Sequence, residues 1–354
     1  MKKRLSIVLA ACLAAVLLVG CGAPATSGGA GSGSAGELNV FIWTEYMPDS
    51  VFQQFTEETG IKVNVSTYSS NEDMLSKVKA SNKGLYDIVV PSDYMVKMMI
   101  DEGLLSEINK DNVPNLKNIG ESFLDQSFDP GNKYSVPYMG GVATLCVNTS
   151  KVTDEITSFT QIFDPKYENT IVTLDDFRAV IGLVAKSMGY SMNETDPVVL
   201  EEISTKLMEL KPNIKALDSD SPKSLMISGE TNIGFMWNAE IALSMAENPD
   251  VQIVFPKEGC YLFLDNFCIT DGAKNKDNAE KFIDFVLRPE VSKLVSEEFP
   301  YVNPNAEAVK LLGDDYINNP ASNVPGEVFA NGEYIMDVGS AIDTYNTIWT
   351  EFTQ

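Results

Sequence analysis

The stretch ELNVFIWTEYMPDSVFQQFTEETGIKVNV, residues 37–65, fixes the class of fold. Its first seven residues are short, apolar and rich in β-branched and aromatic side chains, which reads as a strand. In DSVFQQFTEETG, Val51, Phe52 and Phe55 fall on one helical face and Gly60 supplies a stop. IKVNVST then alternates as a second strand. A strand, a helix and a strand in that order predict parallel pairing through a crossover helix. The first strand delivers Trp43, Thr44, Glu45 and Tyr46 at its carboxyl end, where open α/β sheets bind ligands.

The same alternation continues outward. NEDMLSKVKAS reads as a helix and YDIVVPS as a buried strand, which ends in Ser92, Asp93 and Tyr94. A second series starts at VATLCVNTS. It runs through TIVTL, a helix from about Phe177 to Met188, a helix carrying Leu200, Ile203, Leu207 and Leu210, then NIGFMWN and VQIVFP. YLFLDNFCIT is a further strand; after it, Ala279, Phe282, Ile283 and Val286 sit at helical spacing, and Pro289 opens or kinks a helix. Two α/β series predict two sheets, and hence two lobes with a cleft between them.

The N-terminus predicts export. Lys2, Lys3 and Arg4 precede the apolar run Leu5 to Val19, too short to span a bilayer comfortably and matching a signal peptide. Leu18, Val19, Gly20 and Cys21 resemble the lipobox of bacterial lipoproteins, which implies a lipid on Cys21. GAPATSGGAGSGSAG after it reads as a flexible tether. The expected division is a signal peptide over 1–20 and a lipidated tether over 21–36.

Composition narrows the function. The 354 residues are 44% apolar, enough for a full core, and carry a formal charge of -24, with 26 basic against 50 acidic residues. Loss of the three basic residues of the leader makes the remainder more negative still. Such a charge repels nucleic acid and anionic headgroups and leaves cations as natural ligands. The absence of histidine excludes a histidine-dependent triad or zinc site, and no cofactor or metal is called for. Beyond Cys12 in the leader and Cys21, there remain Cys146, Cys260 and Cys268; those at 146 and 268 lie in apolar runs and read as buried thiols.

Aromatic and acidic residues recur together at strand ends: Trp43 and Tyr46, Ser92 and Tyr94, Asp175 and Asp176, Trp237, Phe263 and Asp265, and Tyr301. Ring faces attract an organic cation by about 0.5 to 2 kcal/mol each, and carboxylates balance its charge. Taken singly, either tryptophan could be packing, and Asp175 or Asp176 could cap the following helix. Asp265 is harder to explain as structure, because a charge within an apolar strand needs a partner.

FIWTEYMPDSVFQQFTEETGIKV, YDIVVPSDYMVKMMIDEGLL, YSVPYMGG, NIGFMWN, PKEGCYLFLDNFCI and NGEYIMDVG resemble the corresponding segments of the periplasmic spermidine/putrescine-binding proteins of polyamine ABC transporters. The resemblance spans essentially the whole chain after the tether. It implies an α/β, two-lobed, type II periplasmic-binding-protein fold, each lobe a mainly parallel sheet flanked by helices. Residues 37–142 plus 264–308 would form one lobe and 143–263 plus 309–354 the other, with hinges near Thr144 and Leu264.

The resemblance also implies ligand contacts from Trp43, Thr44, Glu45, Tyr46, Ser92, Tyr94, Asp176, Trp237, Phe263, Asp265 and Tyr301. It implies capture of a polyamine outside the cytoplasmic membrane and delivery to a permease and its ATPase by a monomer, without catalysis. The chain departs from the spermidine pattern at Ala179, where a glutamate is expected, at Phe263, where a tryptophan is expected, and at Ile335, where a glutamine is expected. Polyamine as a class is thus implied more firmly than spermidine. The rival readings are the same fold binding another organic cation, such as a quaternary amine or basic amino-acid derivative, and, more remotely, a secreted hydrolase using Asp176 and Asp265.

Overall fold

Strand β1 (Glu37–Trp43) lies between β2 (Lys62–Tyr68) and β3 (Ile88–Val89), parallel to both, in the computed structural model, which describes residues 36–354. The crossover helix α1 (Asp49–Thr59) buries Val51, Phe52 and Phe55 as its spacing requires. It ends at Gly60, whose φ of 73° is the left-handed conformation that glycine adopts without a steric penalty. Helix α2 (Asn71–Ala80) is capped by Ser70, whose side chain accepts from the Asp73 N–H. Helix α3 (Asp93–Asp101) follows β3 directly. The leader, the lipobox with Cys21 and the tether lie outside the described residues.

After the short β4 (Leu105–Ser106) comes β5 (Ser135–Asn148), buried along all 14 residues. The chain then builds β6 (Ile171–Thr173), α4 (Phe177–Ser187), α5 (Pro197–Leu210), β7 (Ile214–Leu217), α6 (Lys223–Ile227), β8 (Ile233–Trp237), α7 (Asn238–Glu247) and β9 (Val251–Val254). It returns through β10 (Tyr261–Thr270) to α8 (Lys276–Val286) and α9 (Pro289–Glu298), and β11 (Glu333–Tyr334) comes late in the chain.

The expectation of two separate sheets is corrected by the hydrogen bonding. The strands form one path in the order β2-β1-β3-β10-β5-β8-β6-β7, with β4 and β11 pairing β10 and β9 pairing β5. The trios β2-β1-β3 and β7-β6-β8 are each parallel, as the alternating pattern required, and make the two wings. Two long antiparallel strands join them. β10 pairs β3 at Cys268 and Ile269 and β5 from Tyr261 to Cys268, while β5 pairs β8 from Ala143 to Val147. A strand that leaves one wing and enters the other needs no break in its ladder, so periodicity alone could not show where one sheet would stop. At the join, Gly141 has no room for a Cβ against the Asn238 side chain, whose Oδ1 accepts from the Val142 N–H at 3.1 Å.

Each wing has an apolar interior. Phe282 of α8 stacks on Phe52 and meets Phe55 edge-on, closing the core beneath β1. In the other wing, Leu200, Ile203, Leu207 and Leu210 of α5 are buried, as their spacing predicts. Cys146, Cys260 and Cys268 are buried free thiols. No described helix is long and apolar enough to cross a membrane.

Candidate functional site

A cleft of about 590 Å³, including its open mouth, lies at the carboxyl ends of β1, β3 and β8 and along the middle of β10. Ten of the eleven residues expected at the site line it: Trp43, Thr44, Glu45 and Tyr46 after β1, Ser92 after β3, Asp176, Trp237, Phe263, Asp265 and Tyr301. Tyr94 does not. Its hydroxyl donates to Glu72 Oε1 at 2.8 Å, and it lines a separate groove with Glu72 and Arg178. As the second residue of α3, it turns its side chain away from the sheet edge at Ser92.

Asp265 is the best-defined group in the cleft. The ladder between β10 and β5 shifts register between Asp265 and Asn266, and Asp265 forms a backbone bridge with Ser92. Its Oδ1 accepts from Ser92 Oγ at 2.6 Å and its Oδ2 from the Tyr46 hydroxyl at 2.5 Å. Asn71 supports the arrangement, donating from Nδ2 to Ser92 Oγ at 3.0 Å. The side chain is buried, and no lysine or arginine pairs with it among the described residues. Burial pushes its pKa up to about 7, although the two hydroxyl donors favour the charged form. A buried carboxyl held by neutral donors alone is poised to receive a cation.

The rings form a connected wall. Tyr46 meets Tyr301 edge-on at 5.0 Å, Tyr301 meets Phe263 at 5.9 Å, and Phe263 meets Trp237 at 5.3 Å. Trp43 is partly committed to the fold, since its Nε1 donates to the Val90 carbonyl at 2.8 Å while its ring tilts against Tyr68. Asp176 is both cap and lining residue: its Oδ1 accepts from the Ala179 N–H at 3.0 Å at the start of α4. Burial raises its pKa; the Ala179 N–H and the nearby Arg178 oppose the rise.

Several lining residues lie outside the sequence expectation: Tyr68, Ser69, Asn71, Ser219, Asp220, Glu240 and Tyr261. Ser219 and Asp220 follow β7, a short half-buried strand whose sequence IKAL carries no clear alternation. Read as a strand, it would have yielded them by the rule that places the others. Glu240 lies within α7 and is buried. Burial pushes its pKa up to about 7, with Lys223 acting the other way. Lys223 Nζ lies 2.6 Å from Glu45 Oε2 and 3.1 Å from both Glu240 oxygens. Glu45 itself has φ of 49°, a backbone conformation costing about 1 to 3 kcal/mol outside glycine and typical of residues held for function.

Ala179 and Ile335 are buried and absent from the lining, so neither offers a polar group to the cleft. Asp93, beside Ser92, accepts from the Leu264 and Tyr94 N–H groups at 2.9 and 2.6 Å. No group of three or more acidic or cysteine side chains suited to a metal ion occurs among the described residues.

Two wings around a ringed, acidic cleft give the architecture of a solute-binding protein, and the comparisons agree. Residues 50–324 match the family described as bacterial extracellular solute-binding protein. The spermidine/putrescine-binding periplasmic protein of Escherichia coli K12 is 40% identical over 309 residues, which cover 87% of this chain and 89% of that one. A solved structure from Listeria monocytogenes, assigned to a spermidine/putrescine ABC transporter, has a TM-score of 0.87 at 35% identity, covering 90% of this chain and 99% of that one. The TpPotD lipoprotein of Treponema pallidum has a TM-score of 0.78 at 28% identity, covering 89% and 99%. The chain belongs to the bacterial extracellular solute-binding protein family, in the branch of the spermidine/putrescine-binding periplasmic proteins.

Proposed function

We propose that this protein captures a polyamine outside the cytoplasmic membrane and presents it to an ABC permease and its ATPase. The observation that carries this reading is Asp265, a buried carboxyl that two hydroxyls position and that no lysine or arginine among the described residues neutralises. An ammonium reaching it would gain a charge-assisted bond in a desolvated place, beside rings that favour a cation. Asp176 lines the same cleft from the other wing and gives a second ammonium an acceptor. The relatives named for spermidine and putrescine support the ligand class.

The wings act as lobes that close on the ligand. The boundaries we propose are 37–142 plus 264–308 for one and 143–263 plus 309–354 for the other, with hinges near Thr144 and Leu264. They are supported by the two joining strands, because 142/143 falls within β5 and 263/264 within β10. Cys21 carries the lipid that holds a monomer at the membrane through the tether; the lipobox-like run and the related lipoprotein support that placement.

Calorimetry with residues 36–354 tests the ligand class. Saturable 1:1 binding of putrescine or spermidine is expected. Absence of heat and of thermal stabilisation with both at millimolar concentration would exclude polyamine capture.

A further inference from the structure

Among the described residues, the lining of the cleft contains five carboxyl groups, Glu45, Asp176, Asp220, Glu240 and Asp265, and no lysine or arginine. Lys223 stands outside that lining and reaches two of the five. Its Nζ lies 2.6 Å from Glu45 Oε2 and 3.1 Å from each Glu240 oxygen. The Lys223–Glu240 pair is largely buried, at 19% and 5% side-chain exposure, whereas Glu45, at 44%, reaches it from the open side. The partners also come from opposite wings, Glu45 from the exit of β1, Lys223 and Glu240 from α6 and α7. The ammonium therefore ties the wings together at one end of the cleft while offsetting one of the two negative charges there.

We infer that Lys223 is a resident cation that sets how many ligand ammonium groups this end of the cleft accepts. With Glu240 ionised, Glu45 and Glu240 with Lys223 carry one net negative charge, beside Asp220, which feels the Glu45 charge; Lys223 is the cation that a second ligand ammonium would meet there. A ligand bringing a second ammonium to the same end would set it against Lys223 at short range, where the surroundings screen poorly. The residue thereby favours a diamine over a triamine. The inference rests on the polyamine reading above and adds a determinant of chain length to it.

The test is calorimetry of putrescine and spermidine against the unmutated protein, Lys223→Met, and Lys223→Met with Glu240→Gln. Methionine keeps the unbranched stem and removes the charge, leaving two negative groups; adding Glu240→Gln restores the original net charge. The ratio of spermidine to putrescine affinity is expected to rise at least tenfold in Lys223→Met and to return to within threefold of the starting ratio in the double variant. A purely structural role would weaken or strengthen both amines together. A ratio within threefold of the original in Lys223→Met, or one that stays raised in the double variant, overturns the role of Lys223 alone. If the unmutated protein binds neither amine, the polyamine reading falls and this inference with it.

Discussion

Ser92 and Asp265 meet twice, through a backbone bridge and through a 2.6 Å hydrogen bond from Ser92 Oγ to Asp265 Oδ1. The first contact aligns the end of β3 with the middle of β10; the second fixes the carboxyl that faces the cleft. Position and chemistry are set by the same pair, so the site is built before any ligand arrives, which lowers the ordering cost of binding.

Asp265→Asn is expected to reduce polyamine affinity severely, because a ligand ammonium then loses its charged partner in a desolvated place. Such losses run at about 2 to 5 kcal/mol. The unliganded protein is expected to melt at the same temperature or higher, since an uncompensated buried carboxyl is removed. Calorimetry and thermal melting check both, and an affinity change under threefold would argue against the role given to Asp265.

The pKa of about 7 for Asp265 gives the pH dependence a sign. This carboxyl keeps its proton in the folded, empty cleft over a range where the unfolded chain has released it. The folded state therefore binds more protons, and stability falls as pH rises through 7. Asp93, raised to about 8 by burial, acts in the same direction. The unliganded protein is expected to lose at least about 2 °C in melting temperature between pH 5 and pH 8, roughly the effect of 1 kcal/mol in a chain of this size. Polyamine affinity should run the other way and weaken below pH 7, because an ammonium must then displace a proton from Asp265. Melts with and without putrescine across pH 5 to 8 measure both trends.

Putrescine or cadaverine is expected to bind at least as tightly as spermidine, since Ala179 and Ile335 supply no polar group for an inner ammonium. In competition calorimetry, spermidine outcompeting putrescine by more than tenfold in the unmutated protein, about 1.4 kcal/mol, would contradict this.

Cys21→Ala is expected to release the protein from membranes into the soluble fraction without altering polyamine binding. Fractionation of cells expressing the variant checks it, and persistent membrane association would count against the lipid anchor.

The sequence is most legible where pattern and burial coincide. Helix α1 can be placed with its buried face and its stop, because Val51, Phe52, Phe55 and Gly60 all point to one structure. Asp265 stands out because an acid in an apolar strand has few structural explanations. The single sheet is hidden, since residues 135–148 are buried throughout and carry no mark of the point where β5 passes between wings. Glu240 escapes for a different reason: it reads as an ordinary helical acid, and its partner Lys223 belongs to another helix. Tyr94 is placed at the site by resemblance, and only the geometry of α3 shows that its hydroxyl is committed to Glu72.

The chain order of the sheet also governs when this protein can fold. β3 borders β10, and Phe52 and Phe55 are covered by Phe282, from far along the chain. During synthesis the first wing therefore has its strands but neither their neighbour nor the lid of their core until α8 has emerged. Contacts so distant in sequence form slowly. A chain that leaves the ribosome in this state keeps its first wing incomplete until α8, late in the sequence, has followed.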